Sequence, residues 1–74
     1  MLKLEHNNIS KIEGLESLVN LENLYLSSNY IARLENLTHN TRIHELYISK
    51  QKINTNFTFD PETTNALAYT LEKL

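Results

Sequence analysis

The chain has 74 residues, a net charge of −2 and no cysteine. This length allows one small domain, and the lack of cysteine excludes a disulfide framework and a thiolate metal site. Its seven basic and nine acidic residues are spread along the chain, so no charged patch points to nucleic acid or a membrane surface, and no apolar run is long enough to span a bilayer.

An apolar pattern recurs with a 22-residue period, starting near the N-terminus. The stretch LKLEHNNISKI at residues 2–12 returns as LYLSSNYIARL at residues 24–34, and a third copy follows. Four columns recur at this interval: Leu2, Leu24 and Leu46; Leu4, Leu26 and Ile48; Ile9, Ile31 and Ile53; Leu15, Leu37 and Phe59. The spacing resembles that of leucine-rich repeats, at the short end of their known lengths.

Alternating apolar residues predict a short strand in each repeat. Leu24 and Leu26 should face inward and Tyr25 outward, because successive side chains of a strand point to opposite faces. The fold class that follows is α/β: a leucine-rich repeat solenoid of about three repeats, forming one module over residues 1–74. Its parallel strands form the concave face, and irregular or 3-10 return segments with one helix form the convex face. We predict strands near residues 2–5, 23–27 and 45–49.

An amide follows each predicted strand. Asn7 and Asn29 occupy this column in the first two repeats, and Gln51 occupies it in the third. Their side chains can bond backbone groups of the turn and of the neighbouring repeat, which gives them a structural role. Glutamine is longer than asparagine, so we expect the amide ladder to be distorted or to end at Gln51.

The third repeat is longer than the others. Asn56 lies where the period predicts an apolar residue, and the opening signature of residues 43–46 returns only at residues 71–74, later than the period predicts. We expect a helix near residues 61–72 to contain the six additional residues. Asp60 is a suitable N-cap, Pro61 suits the first helical position, and Glu62 suits the positive end of the helix dipole. The apolar face of this helix would consist of Leu67, Leu71 and Leu74.

The pattern begins inside one repeat and stops where a fourth strand would start. Solenoids need a capping element at each end, and the sequence contains neither. We therefore expect a fragment that lacks both caps and forms a subunit of a larger assembly.

The segment ISKIEGLESLVNLENLYLSSNYIARLENL resembles the leucine-rich repeats of protein phosphatase 1 regulatory subunits and of several ciliary and centrosomal proteins. Residues 21–74 resemble a testis-type phosphatase regulatory subunit, through Gln51, the FDP motif of residues 59–61 and the lengthened helical return. The resemblance implies a cytoplasmic scaffold at the cytoskeleton, centrosome or cilium. Its implied partners are the phosphatase catalytic subunit, tubulin or ciliary proteins. A purely structural role in a ciliary or axonemal microtubule assembly is the alternative.

Outward residues of the predicted sheet form the candidate partner-binding surface. Tyr25 and Tyr47 share a column on neighbouring strands, and tyrosine provides a large rigid contact area with a polar tip. The alternative is that these tyrosines only cover the sheet, since their β propensity is high. The full set is Lys3, Glu5, Asn23, Tyr25, Ser27, Glu45, Tyr47 and Ser49.

Catalytic, metal and cofactor sites are not expected. The three histidines, His6, His39 and His44, occupy unlike positions of the repeat, and no serine or threonine lies in a nucleophile motif. Glycosylation sequons begin at Asn8, Asn36 and Asn56, and the abundance of asparagine explains them by chance. Lys50 and Lys52 could contact an acidic partner, although a solvated loop edge is the simpler interpretation.

Overall fold

A computed structural model describes residues 1–67 of the chain. These residues contain the strands β1 (Leu2–Lys3), β2 (Asn23–Tyr25), β3 (Arg33–Leu34), β4 (Glu45–Tyr47) and β5 (Thr58–Phe59) and the helix α1 (Pro61–Leu67). A parallel sheet has the strand order β1-β2-β4, and β3 and β5 form a second parallel pair. The helix α1 is too short and too polar to cross a bilayer.

The three-stranded sheet has the register that the 22-residue shift predicts. Leu24 lies between Leu2 on β1 and Leu46 on β4. The strands are shorter than the predicted ranges, but backbone hydrogen bonds continue the pairing beyond them. The Ser28 N–H, for example, donates to Ser49 O at 3.1 Å. The chain therefore stays paired up to the turn that ends each strand.

The core lies between the sheet and the return segments. On the sheet side of the core, Leu24 and Leu46 are fully buried. Opposite them, Ile31, Leu34 and Leu37 of the second return segment are 0%, 3% and 0% exposed. No single repeat could enclose these side chains, so the repeats depend on one another for burial.

The chain turns out of each strand through a residue in the left-handed region. His6, Ser28 and Lys50 have φ of 60°, 61° and 59°, and each precedes the amide of its repeat. A second left-handed column contains Gly14 at 78° and Asn36 at 61°. Both columns keep the 22-residue interval, so the period governs the backbone as well as the core.

The second parallel pair corrects the expected alignment of the third repeat. Phe59 pairs with Leu34, and not with Leu37 as the 22-residue column predicts. Because Leu34 precedes Leu37 by three positions, three of the additional residues lie before β5, in the segment with bends at Asn54 and Thr55, and not in the helix. The return segments otherwise consist of turns and irregular backbone, without a 3-10 helix between residues 1 and 67.

The helix α1 begins at the predicted cap. Asp60 accepts a hydrogen bond at Oδ2 from the Thr63 N–H at 3.1 Å, which is N-cap geometry. Leu67 is 1% exposed and belongs to the core. The rest of the predicted helix, with Leu71 and Leu74, lies outside the described residues.

Candidate protein-interaction surface

Each of the eight predicted surface residues lies in one of the three strands of the sheet or two residues past the end of that strand. We call their outward side the tyrosine face; it consists of Lys3, Glu5, Asn23, Tyr25, Ser27, Glu45, Tyr47 and Ser49. Lys3 and Ser49 are exposed and the other six are half-buried. The face is therefore open to solvent, while the alternate residues of the same strands point into the core.

The middle row of this face is aromatic and basic. The rings of Tyr25 and Tyr47 are stacked, with centroids 4.7 Å apart and planes inclined by 10°. The ammonium group of Lys3 lies 5.5 Å from the Tyr25 centroid, within the range of a cation–π contact. The parallel register positions the two rings side by side, so the stack is held by the backbone pairing beneath it.

The flanking rows are polar. The Tyr47 hydroxyl donates to Glu45 Oε1 at 3.2 Å, which ties the aromatic row to the row of Asn23 and Glu45. On the other side, the hydroxyl oxygens of Ser27 and Ser49 are 3.5 Å apart. The face therefore has an aromatic centre between polar rows, an arrangement that also occurs at protein interfaces.

The amide column stabilises the turns next to this face. Asn29 is fully buried and accepts at Oδ1 from the N–H groups of Asn7 and Ile9, at 3.0 and 3.1 Å. Its Nδ2 donates to three carbonyl oxygens at 2.8 to 3.3 Å, those of Leu4, Leu26 and Ser27. Of these five hydrogen bonds, three join the second repeat to the first and two hold the turn of the second repeat itself.

Gln51 continues this ladder, contrary to the expectation that it would be distorted or end there. Its Oε1 accepts from the N–H groups of Asn29 and Ile31, and its Nε2 donates to the carbonyls of Leu26, Ile48 and Ser49. These offsets are the same as those of Asn29.

One backbone hydrogen bond differs between the second and third repeats, at the residue that follows the amide. Tyr30 N–H bonds Ile9 O in the second repeat, so the period predicts that Lys52 N–H bonds Ile31 O in the third. Instead, Lys52 N–H bonds Asn29 O. This backbone hydrogen bond therefore departs from the 22-residue period, whereas the side-chain ladder at Gln51 keeps it.

Two further buried polar residues were not predicted from the sequence. Asn40 is fully buried and donates through Nδ2 to the carbonyls of Leu15 and Leu18, at 2.8 and 3.0 Å. Thr63, also fully buried, accepts from the Leu37 N–H at 3.3 Å. A signal for Asn40 was available, since the period places it in the column of Leu18 and an amide in an apolar column indicates a hydrogen-bonding role.

Chemically, the face offers contact surface and hydrogen bonds. Between residues 1 and 67, no group of three or more histidine, aspartate or glutamate side chains is arranged to hold a metal ion. The structure does not bring the histidines together: His6 lies in a strand-exit turn, His39 in a return segment and His44 next to β4. Lys50 is exposed, while the ammonium group of Lys52 lies 5.6 Å from the ring of Tyr30.

In a comparison with known protein families, residues 1–39 match the family described as leucine-rich repeats (2 copies). The matched range is more than half of the chain and contains the first two repeats. Searches of curated proteins and of solved structures return no match.

Proposed function

The chain belongs to the leucine-rich repeat family, and from this premise we propose that it is a non-catalytic module that binds another protein through its tyrosine face. Domains of this family generally mediate protein–protein interaction, and stacked repeats provide extended surfaces for that purpose. No cofactor is part of the proposal.

The stacked pair of Tyr25 and Tyr47 is the observation that carries the proposal. Stacking restricts both rings before any partner arrives, so little side-chain entropy remains to be lost on binding. Tyrosine is enriched among the residues that dominate binding energy at protein interfaces. Lys3 at one end of the aromatic row, and Glu45 bonded to Tyr47 at the other end, carry opposite charges that could orient a partner.

For the partner, we propose the catalytic subunit of protein phosphatase 1, with location at the cytoskeleton, centrosome or cilium. In support of this proposal, the sequence of residues 21–74 resembles that of phosphatase 1 regulatory subunits through Gln51, the FDP motif of residues 59–61 and the lengthened return. Lys52 and Ile53 resemble the start of a short phosphatase docking motif. That motif needs an aromatic residue at position 55, and this chain has Thr55 there. Binding would therefore depend on the tyrosine face.

The second candidate function is a structural role in a ciliary microtubule assembly. Lys50 is exposed beside the end of β4, where it could meet the acidic tail of tubulin. In this case Lys50, and not the tyrosine face, would provide most of the binding energy.

The two functions are separated by binding assays with purified components. We expect the double substitution Tyr25→Ala, Tyr47→Ala to weaken binding of the phosphatase catalytic subunit about tenfold or more, because interface tyrosines contribute strongly. Tyr30→Ala is the matched control, since Tyr30 is 42% exposed and not part of the face. Binding that persists in the double variant contradicts the phosphatase proposal. Microtubule co-sedimentation that is lost with Lys50→Glu and unaffected by the double variant would favour the structural role.

A further inference from the structure

Glu45 carries a carboxylate whose orientation on the tyrosine face is fixed by a hydrogen bond. The residue is half-buried, and its Oε1 accepts from the Tyr47 hydroxyl at 3.2 Å. A carboxylate offers about four lone-pair sites, so most of them remain for other donors. Between residues 1 and 67, the ion pairs involve Arg33 and not Glu45. The charge of Glu45 is therefore not balanced by a cation of the described part of the chain.

The charges of the tyrosine face are distributed unequally. The face carries the ammonium group of Lys3 and the carboxylates of Glu5 and Glu45, so it is negative overall. Lys3 lies on β1, with its ammonium group 5.5 Å from the Tyr25 centroid, whereas Glu45 lies on β4, two strands away. Since adjacent strands are about 4.8 Å apart, the backbones of Lys3 and Glu45 are separated by about 10 Å or more. The β4 side of the face therefore favours a cationic group of a partner.

The residue beside Glu45 in the sheet adds a second acceptor. Asn23 pairs with Glu45 in the register of β2 and β4. Its Oδ1 is buried and accepts no hydrogen bond from residues 1–67. In the opposite row, the hydroxyl oxygens of Ser27 and Ser49 lie 3.5 Å apart, and a hydroxyl can both donate and accept. The row of Asn23 and Glu45 therefore has acceptors in excess, and a side chain with several N–H groups would satisfy them.

We propose that the row of Asn23 and Glu45 binds an arginine side chain of the partner protein. This inference rests on the proposed function, because it assigns the chemistry of the residue that a partner presents to the tyrosine face. The planar guanidinium group would donate two parallel hydrogen bonds to the carboxylate oxygens of Glu45, and a turn of the Asn23 amide would present its Oδ1 to a further N–H group. A lysine ammonium group lacks this fork geometry, so the site selects arginine over lysine. Tyr47 is a positioning residue, since its hydroxyl orients the carboxylate.

A displayed library of short random peptides tests this assignment without a known partner. Peptides are selected on the 74-residue chain, and those that also bind the Tyr25→Ala, Tyr47→Ala variant are removed. We expect the remaining peptides to share an arginine. Their affinity, measured by fluorescence anisotropy, should fall about tenfold with Glu45→Gln, because the substitution removes the charge and keeps an acceptor for the Tyr47 hydroxyl. Glu5→Gln is the matched control on the same face and should change affinity by no more than about twofold.

Substitution in the peptide tests the same contact from the other side. Replacement of the shared arginine by lysine keeps the charge and should weaken binding about fivefold, and this loss should be absent in the Glu45→Gln variant because the two groups are coupled. If Glu45→Gln does not fold, the lysine peptides still decide the question.

The possible results separate this inference from the proposed function. Peptides that depend on the two tyrosines but share no arginine, or that bind Glu45→Gln as tightly as the unsubstituted chain, overturn the arginine assignment and leave the proposed function standing. Equal weakening by Glu45→Gln and Glu5→Gln also overturns the assignment, since it would reflect only the overall negative charge of the face. If no selected peptide depends on the tyrosines, the proposed function fails and the assignment fails with it.

Discussion

At the scale of single residues, Asn29 holds the first two repeats together. Its side chain makes five hydrogen bonds and is completely buried. We expect Asn29→Ala to lower the free energy of unfolding by about 3 kcal/mol or more, because each backbone group left without a partner costs about 1–3 kcal/mol. This is a large share of the stability of a small domain, which is about 5–15 kcal/mol. Urea unfolding followed by circular dichroism measures the change.

Asn8→Ala provides the control for this measurement. Asn8 is exposed, and its side chain makes no hydrogen bond with residues 1–67. Its replacement should alter the free energy of unfolding by less than about 0.5 kcal/mol. Similar losses in both variants would mean that the amide ladder contributes no more than an ordinary surface residue.

Some conformations of single residues could be predicted from the sequence, and others could not. The roles of Asn7 and Asn29 follow from the period, because an asparagine recurring after a strand indicates a turn. The left-handed conformations of Ser28 and Lys50 do not, since neither residue type favours positive φ. The hydrogen bonds of the amide that follows hold the backbone in this conformation. The surrounding structure therefore stabilises a φ that the residue type alone disfavours.

At the scale of elements, the three sheet strands and the start of α1 were predictable and the pairing of β3 with β5 was not. The strands follow from alternation and the helix start from Asp60 and Pro61. The β3–β5 register depends on how many additional residues precede β5, and the sequence indicates only their total. A strict 22-residue count therefore assigned Phe59 to Leu37, although the backbone pairs Phe59 with Leu34.

The junction between β5 and α1 gives a prediction at this scale. Asp60 caps the helix through Oδ2 and meets Arg33 Nη2 through Oδ1 at 3.4 Å. We expect Asp60→Ala to lower the free energy of unfolding by about 1–2 kcal/mol, mainly through loss of the cap. Asp60→Asn keeps a capping oxygen and removes the ion pair. Because Arg33 is 43% exposed, that pair is screened by solvent and its loss should cost less than about 1 kcal/mol.

Thermal unfolding of the two Asp60 variants compares these contributions directly. Glu62→Gln is the control, because Glu62 lies in the same helical turn and is exposed. A loss for Asp60→Asn as large as that for Asp60→Ala would show that the ion pair, and not the cap, fixes the start of α1.

At the scale of the whole molecule, the second repeat is the only one of the three with a neighbour on both sides within residues 1–67. Its inward residues are consequently the most completely buried, and its tyrosine has Lys3 on one side and Tyr47 on the other. The amides of the second and third repeats bond backward to the preceding repeat, so each repeat is fixed mainly by its neighbours. The stability of the chain and the geometry of the tyrosine face therefore both depend on the second repeat.

Truncation of matched leucines tests this nearest-neighbour description. Leu24→Ala should cost about 2–5 kcal/mol, because Leu24 is fully buried between Leu2 and Leu46. Leu2→Ala removes the same atoms from a partly buried site and should cost less than half as much. Native-state hydrogen exchange gives the second measurement. Leu24→Ala should lower the protection of both the Leu4 and the Leu26 amide, which donate across the two strand pairs, whereas Leu2→Ala should lower that of Leu4 alone. Equal losses of stability from both substitutions would contradict a core centred on the second repeat. They would indicate that the three repeats contribute equally to one cooperative unit.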